Sequence, residues 1–320
     1  MPLSDADRAL VRRDRRLVGL ALVLDAEAVA RRLGTGPLVP RYLRYKPGET
    51  CTAHFDDGGA GIILRAVTAD RYPIYLERQQ WHRPEAAVRF LDDLRTVALP
   101  ARLGCGIRTA RPLLDPARAD ETLRRLLGPG AHRLHLLRLK PGRRLVARID
   151  RAGRPHALLK AVPPAAFPAL LAAAEAAAEG GGPAILAHDA AQGLLAQAWI
   201  PGETVDPRTA TPADFARIGA ALAALQRRPP GPAAPPPHPA APALAALGAL
   251  LPALAPQARA LAAALAAALP QDGAPAFCHG DFSPDQVVLS DGAPRIIDWD
   301  RSGPGPAPAD PGSFLARLDA

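Results

Sequence analysis

The sequence predicts a mixed α+β chain built from two or three units, and three observations carry that expectation. A chain of 320 residues is longer than one small domain commonly runs. A meander of short alternating strands separated by turn residues occurs twice, about 94 residues apart. The second half is dominated by Ala and Leu in helix-forming runs, interrupted by Pro-rich stretches.

Taken in order, Ser4 three residues before Asp7 forms a capping box, and Asp25-Ala26-Glu27 opens a second helix that Gly34 stops. Two short helices are expected there. From Arg41 the pattern changes to Tyr42-Leu43-Arg44-Tyr45, a Lys46-Pro47-Gly48 turn, a strand from Cys51 to Phe55, an Asp57-Gly58-Gly59 turn and a strand from Ile62 to Val67. The design returns as Leu136 to Leu139, Lys140-Pro141-Gly142, Leu145 to Ile149, a turn at Asp150 to Gly153, and Ala157 to Val162. Leu-Arg-x-Lys-Pro-Gly recurs in both copies, and Leu64-Arg65-Ala66-Val67 answers Leu159-Lys160-Ala161-Val162. We read an internal duplication of one sheet unit; chance similarity of two hairpins in a compositionally biased chain is the competing reading. Between the copies, Val88, Leu91 and Leu94 fall at helical spacing and predict a helix over Pro84 to Val97, and Asp115-Pro116 opens another that ends at Gly128.

Beyond Val162, Pro163-Pro164 break the strand and Ala165 to Glu179 has strong helix propensity. Thr211-Pro212-Ala213-Asp214 caps a helix that carries Phe215, Ile218, Leu222 and Leu225 on one face. Pro229 to Pro242 is nearly all Pro and Ala and reads as an extended mobile loop, with His238 solvated in it. Leu244 to Leu269 gives two Ala/Leu helices, Gly303 to Pro311 another Pro/Gly loop, and Ser313 to Leu318 a last helical start.

Chemistry concentrates in Cys278-His279-Gly280-Asp281-Phe282-Ser283-Pro284-Asp285-Gln286-Val287-Val288-Leu289 and, after a turn, Arg295-Ile296-Ile297-Asp298-Trp299-Asp300. An acid beside His-Gly, an amide side chain further on, an apolar run, and an acid closing a second apolar run supply the parts that phosphoryl transfer from ATP needs. One carboxylate orients the acceptor hydroxyl and takes its proton, while an amide oxygen and a second carboxylate hold the magnesium that neutralises the phosphates. Asp281 fits the first role, and Gln286 and Asp298 the second. The rival reading is a turn with two solvated acids, which the order and spacing of both blocks disfavour.

The two blocks resemble the catalytic and metal-binding loops of aminoglycoside phosphotransferases, choline kinases and related small-molecule kinases. The family pattern is His-Gly-Asp, four residues, Asn, then Ile-Asp-Phe/Trp-Asp/Glu, and this chain departs from it with Gln286, as maltokinases do. The resemblance covers residues 131 to 320 and implies a bilobal protein-kinase-like fold in which a lysine on the third strand reaches the nucleotide phosphates and a glutamate on the next helix holds it. Lys160 and Glu175 match those positions, with Glu179 one turn later as the fallback. The Lys140-Pro141-Gly142-Arg143-Arg144 turn takes the place of the loop over the phosphates. Gly193 to Glu203, with Trp199, looks like the family's edge strand and hinge, where backbone groups bind adenine. Relatives continue for several more helices, so the C-terminal lobe is expected to be short or truncated.

Composition bounds the partners. A formal charge of +8 and a pI near 10.1 could suit nucleic acid, but the arginines are scattered, aromatics make up only 4%, and no nucleic-acid motif appears. A basic surface suits anionic ATP equally well. Cys51, Cys105 and Cys278 are widely spaced and odd in number, which reads as free thiols of a reducing cytoplasm rather than disulfides or a zinc site. The apolar run from Leu17 to Leu24 is too short to span a bilayer, and no cleavage signal accompanies it.

The expectation is therefore an α+β kinase-like chain with a cap domain over residues 1–130 containing a degenerate copy of the sheet, a nucleotide lobe over 131–201 and a helical lobe over 202–320. Its function would be ATP- and Mg2+-dependent phosphorylation of a hydroxyl on a small molecule such as an aminoglycoside, a sugar or an amino alcohol. The alternative is a catalytically weak nucleotide-binding module, motivated by Gln286 and the short C-terminus. No nucleic acid or membrane partner is expected, and the sequence leaves the oligomeric state open.

Overall fold

Burial on one face of each sheet organises the first part of the chain. A computed structural model describes residues 3–59, 61–230, 240–268 and 275–318. Ser4 caps α1 (Asp5–Arg13) through the expected capping box with Asp7. α2 (Leu20–Leu24), which the sequence reading did not separate, precedes α3 (Ala26–Leu33), capped by Asp25 and stopped by Gly34 in the left-handed region. Leu17, Leu20, Val23 and Val29 then pack on Cys51, Ala53, Phe55, Leu64 and Ala66. These last five belong to β2 (Thr50–Asp56) and β3 (Ile62–Val67), the inner strands after β1 (Val39–Lys46).

The helix expected over Pro84 to Val97 is not formed. That segment holds a 3-10 turn at Pro84–Ala86, β4 (Arg89–Leu91), a second 3-10 turn at Asp92–Leu94 and the start of β5 (Thr96–Pro100). Ala87 and Arg95 have positive φ, 51° and 46°, which a helix cannot accommodate. Pairing of Val97 with Arg65 and of Leu99 with Ile63 buries Val97 and Leu99 completely, a gain that outweighs the local helical spacing. The first sheet thus has five strands in the order β1-β2-β3-β5-β4, rather than the three read from the sequence.

A one-turn α4 (Pro73–Leu76) precedes β4; α5 (Ala101–Gly104), a 3-10 segment at Arg108–Leu114 and α6 (Pro116–Leu127) follow β5. α6 starts on its Asp115 cap and ends at Gly128 as expected. This segment covers the second sheet as α1–α3 cover the first: Ala101, Ile107, Ala110 and Leu123 pack with Leu139, Leu145, Ala147, Ile149, Leu159 and Ala161. The second sheet comprises β6 (His132–Lys140), β7 (Arg144–Arg151), β8 (Arg154–Ala161) and, after α7 (Phe167–Glu179), β9 (Ile185–Asp189) and β10 (Leu194–Ala198). Its order is β6-β7-β8-β10-β9, the order of the first sheet repeated. The registers repeat too, since Arg44 pairs Thr52 and Thr52 pairs Arg65, just as Arg138 pairs Val146 and Val146 pairs Lys160. Each first hairpin turns at Lys-Pro-Gly, with Gly48 at φ 66° and Gly142 at φ 73°, a conformation that favours Gly after Pro. Matching strand order and register together support duplication over chance.

The chain divides into two compact units, Met1–Phe167 with Leu186–Gln197, and Pro168–Ile185 with Ala198–Ala320. Both sheets lie in the first unit. We propose the position near residue 130 as the junction of the two repeats within it. The second unit holds most of α7, then β11 (Glu203–Thr204), α8 (Pro212–Gln226), α9 (Ala240–Leu250), α10 (Ala255–Ala268), β12 (Ala276–Cys278), β13 (Val287–Ser290), β14 (Ala293–Ile296), β15 (Gly303–Gly305) and α11 (Ala309–Leu318). Thr211 and Asp214 form the α8 capping box, and Ile218, Leu222 and Leu225 are buried as expected. Most of the Pro/Ala stretch, including His238, lies outside the described residues, and α9 already begins at Ala240. No described helix is long and apolar enough to cross a membrane.

Candidate active site

The His-Gly-Asp segment leaves β12 as a tight turn whose backbone is gripped by one buried carboxylate. Asp310, 1% exposed in the first turn of α11, accepts from the His279 N–H at 2.6 Å and the Gly280 N–H at 2.9 Å. Gly280 has φ 79°, and a Cβ there would sit 2.4 Å from the Arg301 carbonyl oxygen, so the turn requires glycine on two counts. Asp310 was read from sequence as part of a Pro/Gly loop. That loop is instead β15, paired with β12, followed by a helix that starts at Ala309; Asp310-Pro311 is the helix-opening signal that could have revealed it.

His279 is fully buried between Phe282 and Trp299, both in edge contact with its ring. Its Nε2 lies 2.8 Å from the Ile297 carbonyl, a bond in which the imidazole N–H donates. The Ile297 N–H in turn donates to the backbone carbonyl of Gln286 at 2.9 Å. Ile297 is thereby held through its carbonyl by the His-Gly-Asp turn and through its N–H by the Gln286 backbone, immediately before Asp298. The β13–β14 hairpin, with Val287 opposite Ile296, completes the connection. Asp281, Gln286 and Asp298 are therefore carried on one hydrogen-bonded frame. Asp298 itself has φ 58°, the strained left-handed region that non-glycine residues occupy mostly where the surroundings impose it.

Asp281 is half-buried, its side chain 35% exposed, with Arg301 Nη1 and Arg317 Nη2 each 3.7 Å from a carboxylate oxygen. Neither arginine was singled out in the sequence, because scattered arginines carry little signal in this composition. Beside Asp281, the Ser283 hydroxyl donates to Asp285 Oδ1 at 2.5 Å, and Gln286 Nε2 donates to Asp285 Oδ2 at 3.2 Å. With its side-chain nitrogen engaged by Asp285, Gln286 presents its side-chain oxygen Oε1 as a donor atom for a cation. An amide oxygen and a carboxylate on one frame suit magnesium, which takes hard oxygen donors and retains water and substrate oxygens in its remaining positions. Among the described residues no group of three or more His, Cys, Asp or Glu could hold a metal ion. Burial, and then the Asp310 charge, push the Cys278 thiol up to about 11.

The remaining candidates are carried by other elements. Glu175 is exposed on α7, and the fallback Glu179 is engaged by Arg228 at 3.5 Å. Trp199 is half-buried just past β10. The strand leading to it is interior, between β8 and β9, and the edge is β9, a strand that the sequence reading missed. In the first unit Lys160 is buried on β8, 2% exposed, and Lys140 closes β6 at the hairpin turn. The Gly142 N–H of that turn donates to the Cys105 carbonyl at 2.6 Å, so this backbone donor serves the fold.

Residues 123–320 match the model of the family described as "Phosphotransferase enzyme family" (APH). The chain belongs to that family. No curated protein matches this phosphotransferase. Among solved structures it is similar to a choline/ethanolamine kinase family protein from Mesorhizobium loti, at 23% identity and a TM-score of 0.44 over 66% of this chain and 70% of that one. An aminoglycoside-3'-phosphotransferase of type VIII gives 22% identity and a TM-score of 0.45 over 60% and 79%. The choline kinase LicA from Streptococcus pneumoniae gives 15% and 0.46 over 62% and 73%.

Proposed function

We propose that this phosphotransferase moves the terminal phosphoryl group of ATP to a hydroxyl of a small molecule, with Asp281 as the group that receives the acceptor. Its carboxylate orients the hydroxyl and takes its proton as the O–P bond forms, and ADP leaves. The observation that supports this most is Ile297, held at both its N–H and its carbonyl, which ties the Asp281 turn to the Gln286 and Asp298 segments through His279. The Gln286 side-chain oxygen Oε1 and the Asp298 carboxylate would hold Mg2+, which when bound would neutralise phosphate charge. Lys160 contacts the nucleotide phosphates, with Glu175 as its partner; the Lys140 turn contacts them through its basic side chains; and the segment around Trp199 receives adenine. His279 acts as a positioning residue.

The acceptor class is tested by measuring ADP release with panels of sugars, amino alcohols and aminoglycosides. Release stimulated by one class identifies the acceptor. Magnesium-nucleotide binding with no release beyond the acceptor-free rate in any panel would support the nucleotide-binding module instead.

A further inference from the structure

The first sheet carries a cluster of cations that phosphoryl transfer does not use. On the face opposite its packed core, a cavity of about 220 Å³ is lined by Arg44, Lys46, Arg65 and Arg71, by the Thr50 and Thr52 hydroxyls, and by the Pro141–Gly142 turn of the second repeat. No carboxylate lines it. Glu49 stands 3.7 Å from Lys46 and 3.6 Å from Arg71, offsetting one of the four charges at partly exposed positions where such pairs are weak. Arg44 and Arg65 form no ion pair among the described residues. Arg65 is nonetheless oriented, since its Nε donates to the buried Thr52 hydroxyl at 3.3 Å, which leaves the outer guanidinium nitrogens available for a two-pronged contact.

The position of this row has a counterpart. Arg44, Thr52 and Arg65 lie across three strands in the register that Arg138, Val146 and Lys160 occupy in the second sheet. Duplication has therefore left a cationic row on the same sheet face in both repeats, with a hydroxyl replacing Val146 in the first. Repulsion among these like charges is relieved by a bound anion, and net three positive charges with the Thr52 hydroxyl as a donor match a phosphate dianion better than a single carboxylate; the Thr50 hydroxyl is spent on the Ala66 carbonyl. The volume falls below the roughly 300–1,000 Å³ of ordinary ligand pockets, so a phosphate group with a few carbons fits and a nucleotide does not.

We propose that this cavity of the first repeat, which shares only the Pro141–Gly142 turn with the proposed nucleotide site, is a second binding site, for a small phosphorylated molecule, and it does not depend on the catalytic reading above. The test titrates the full chain with inorganic phosphate and with glycerol phosphate at constant ionic strength, the nucleotide site being saturated with magnesium and a non-hydrolysable ATP analogue. Saturable binding of either probe is expected, tighter for glycerol phosphate if the natural ligand is organic. Binding should weaken roughly tenfold or more in Arg44→Gln/Arg65→Gln, the loss expected for charge-assisted hydrogen bonds. Because Arg65 is partly buried, Arg71→Gln at an exposed position serves as the second variant and should also weaken binding, while Lys160→Ala should leave it unchanged. Absence of saturable binding, binding that survives in both cavity variants, or loss in Lys160→Ala alone would each overturn the proposal.

Discussion

The two five-stranded sheets share strand order and hairpin register, yet they diverge where the third strand ends. From β8 the chain continues into the thirteen-residue α7; from β3 it continues into α4, a single turn of four residues. The inward-facing positions correspond closely: Cys51 with Leu145, Ala53 with Ala147, Phe55 with Ile149, Leu64 with Leu159, and Ala66 with Ala161, all buried. The outward row differs, with Thr52 and Arg65 against Val146 and Lys160. The inward positions stay apolar in both repeats, whereas the row across the other face changes its chemistry even though Thr52 and Lys160 are themselves buried. The comparison teaches that a repeated strand order does not fix the chemistry along it: the first repeat has Arg65 where the second has Lys160, and it lacks the long following helix.

If the inward faces are equivalent, Leu64→Ala and Leu159→Ala should destabilise the chain similarly, by about 2–5 kcal/mol each, because both side chains are fully buried. Denaturant titration measures this, and a large loss at only one position would break the equivalence. Next in size, Asp281→Asn should slow transfer by about a hundredfold or more while nucleotide still binds, since the amide cannot take the hydroxyl proton. The first repeat has no such carboxylate to substitute for it, so transfer near the original rate would sink the assignment.

Directly across the repeats, Lys160→Ala should weaken nucleotide binding and slow transfer by roughly tenfold or more, whereas Arg65→Ala should leave nucleotide affinity within about twofold. A larger loss at Arg65, or two nucleotides per chain, would reverse the roles of the sheets. Within the metal frame, Asp298→Ala should raise the magnesium requirement more than Gln286→Ala, because a carboxylate offers a full charge and an amide only a dipole. Magnesium titration of activity decides between them.

The smallest effect lies outside both sheets. Hydrogen bonds from the Thr211 hydroxyl and N–H, and then from Arg217, hold the Asp214 carboxyl down at about 2. A lowered folded-state value contributes stability above the usual carboxylate range and loses it as pH falls toward 2. The advantage of the native chain over Asp214→Asn should therefore be constant above about pH 4 and disappear between about pH 4 and 2. Thr211→Ala should cost about 1 kcal/mol without altering nucleotide affinity.

Sequence alone determined what is local. Capping boxes at Ser4 and Thr211, the Lys-Pro-Gly turns, the duplicated meander and the His-Gly-Asp and Ile-Asp-Trp-Asp blocks were legible because each depends on a few adjacent residues with restricted backbone or hydrogen-bonding options. Tertiary structure decided what is non-local. β4 and β5 replaced an expected helix because pairing with β3 buries Val97 and Leu99, a contact that no window around those residues contains. Asp310 binds the turn 30 residues before it, and Arg301 and Arg317 reach Asp281 from separate elements. The four cations beside the first sheet become one cavity only when strand register and the Gly142 turn bring Arg44, Arg65 and Arg71 together, since charge in the sequence has no position until the chain folds.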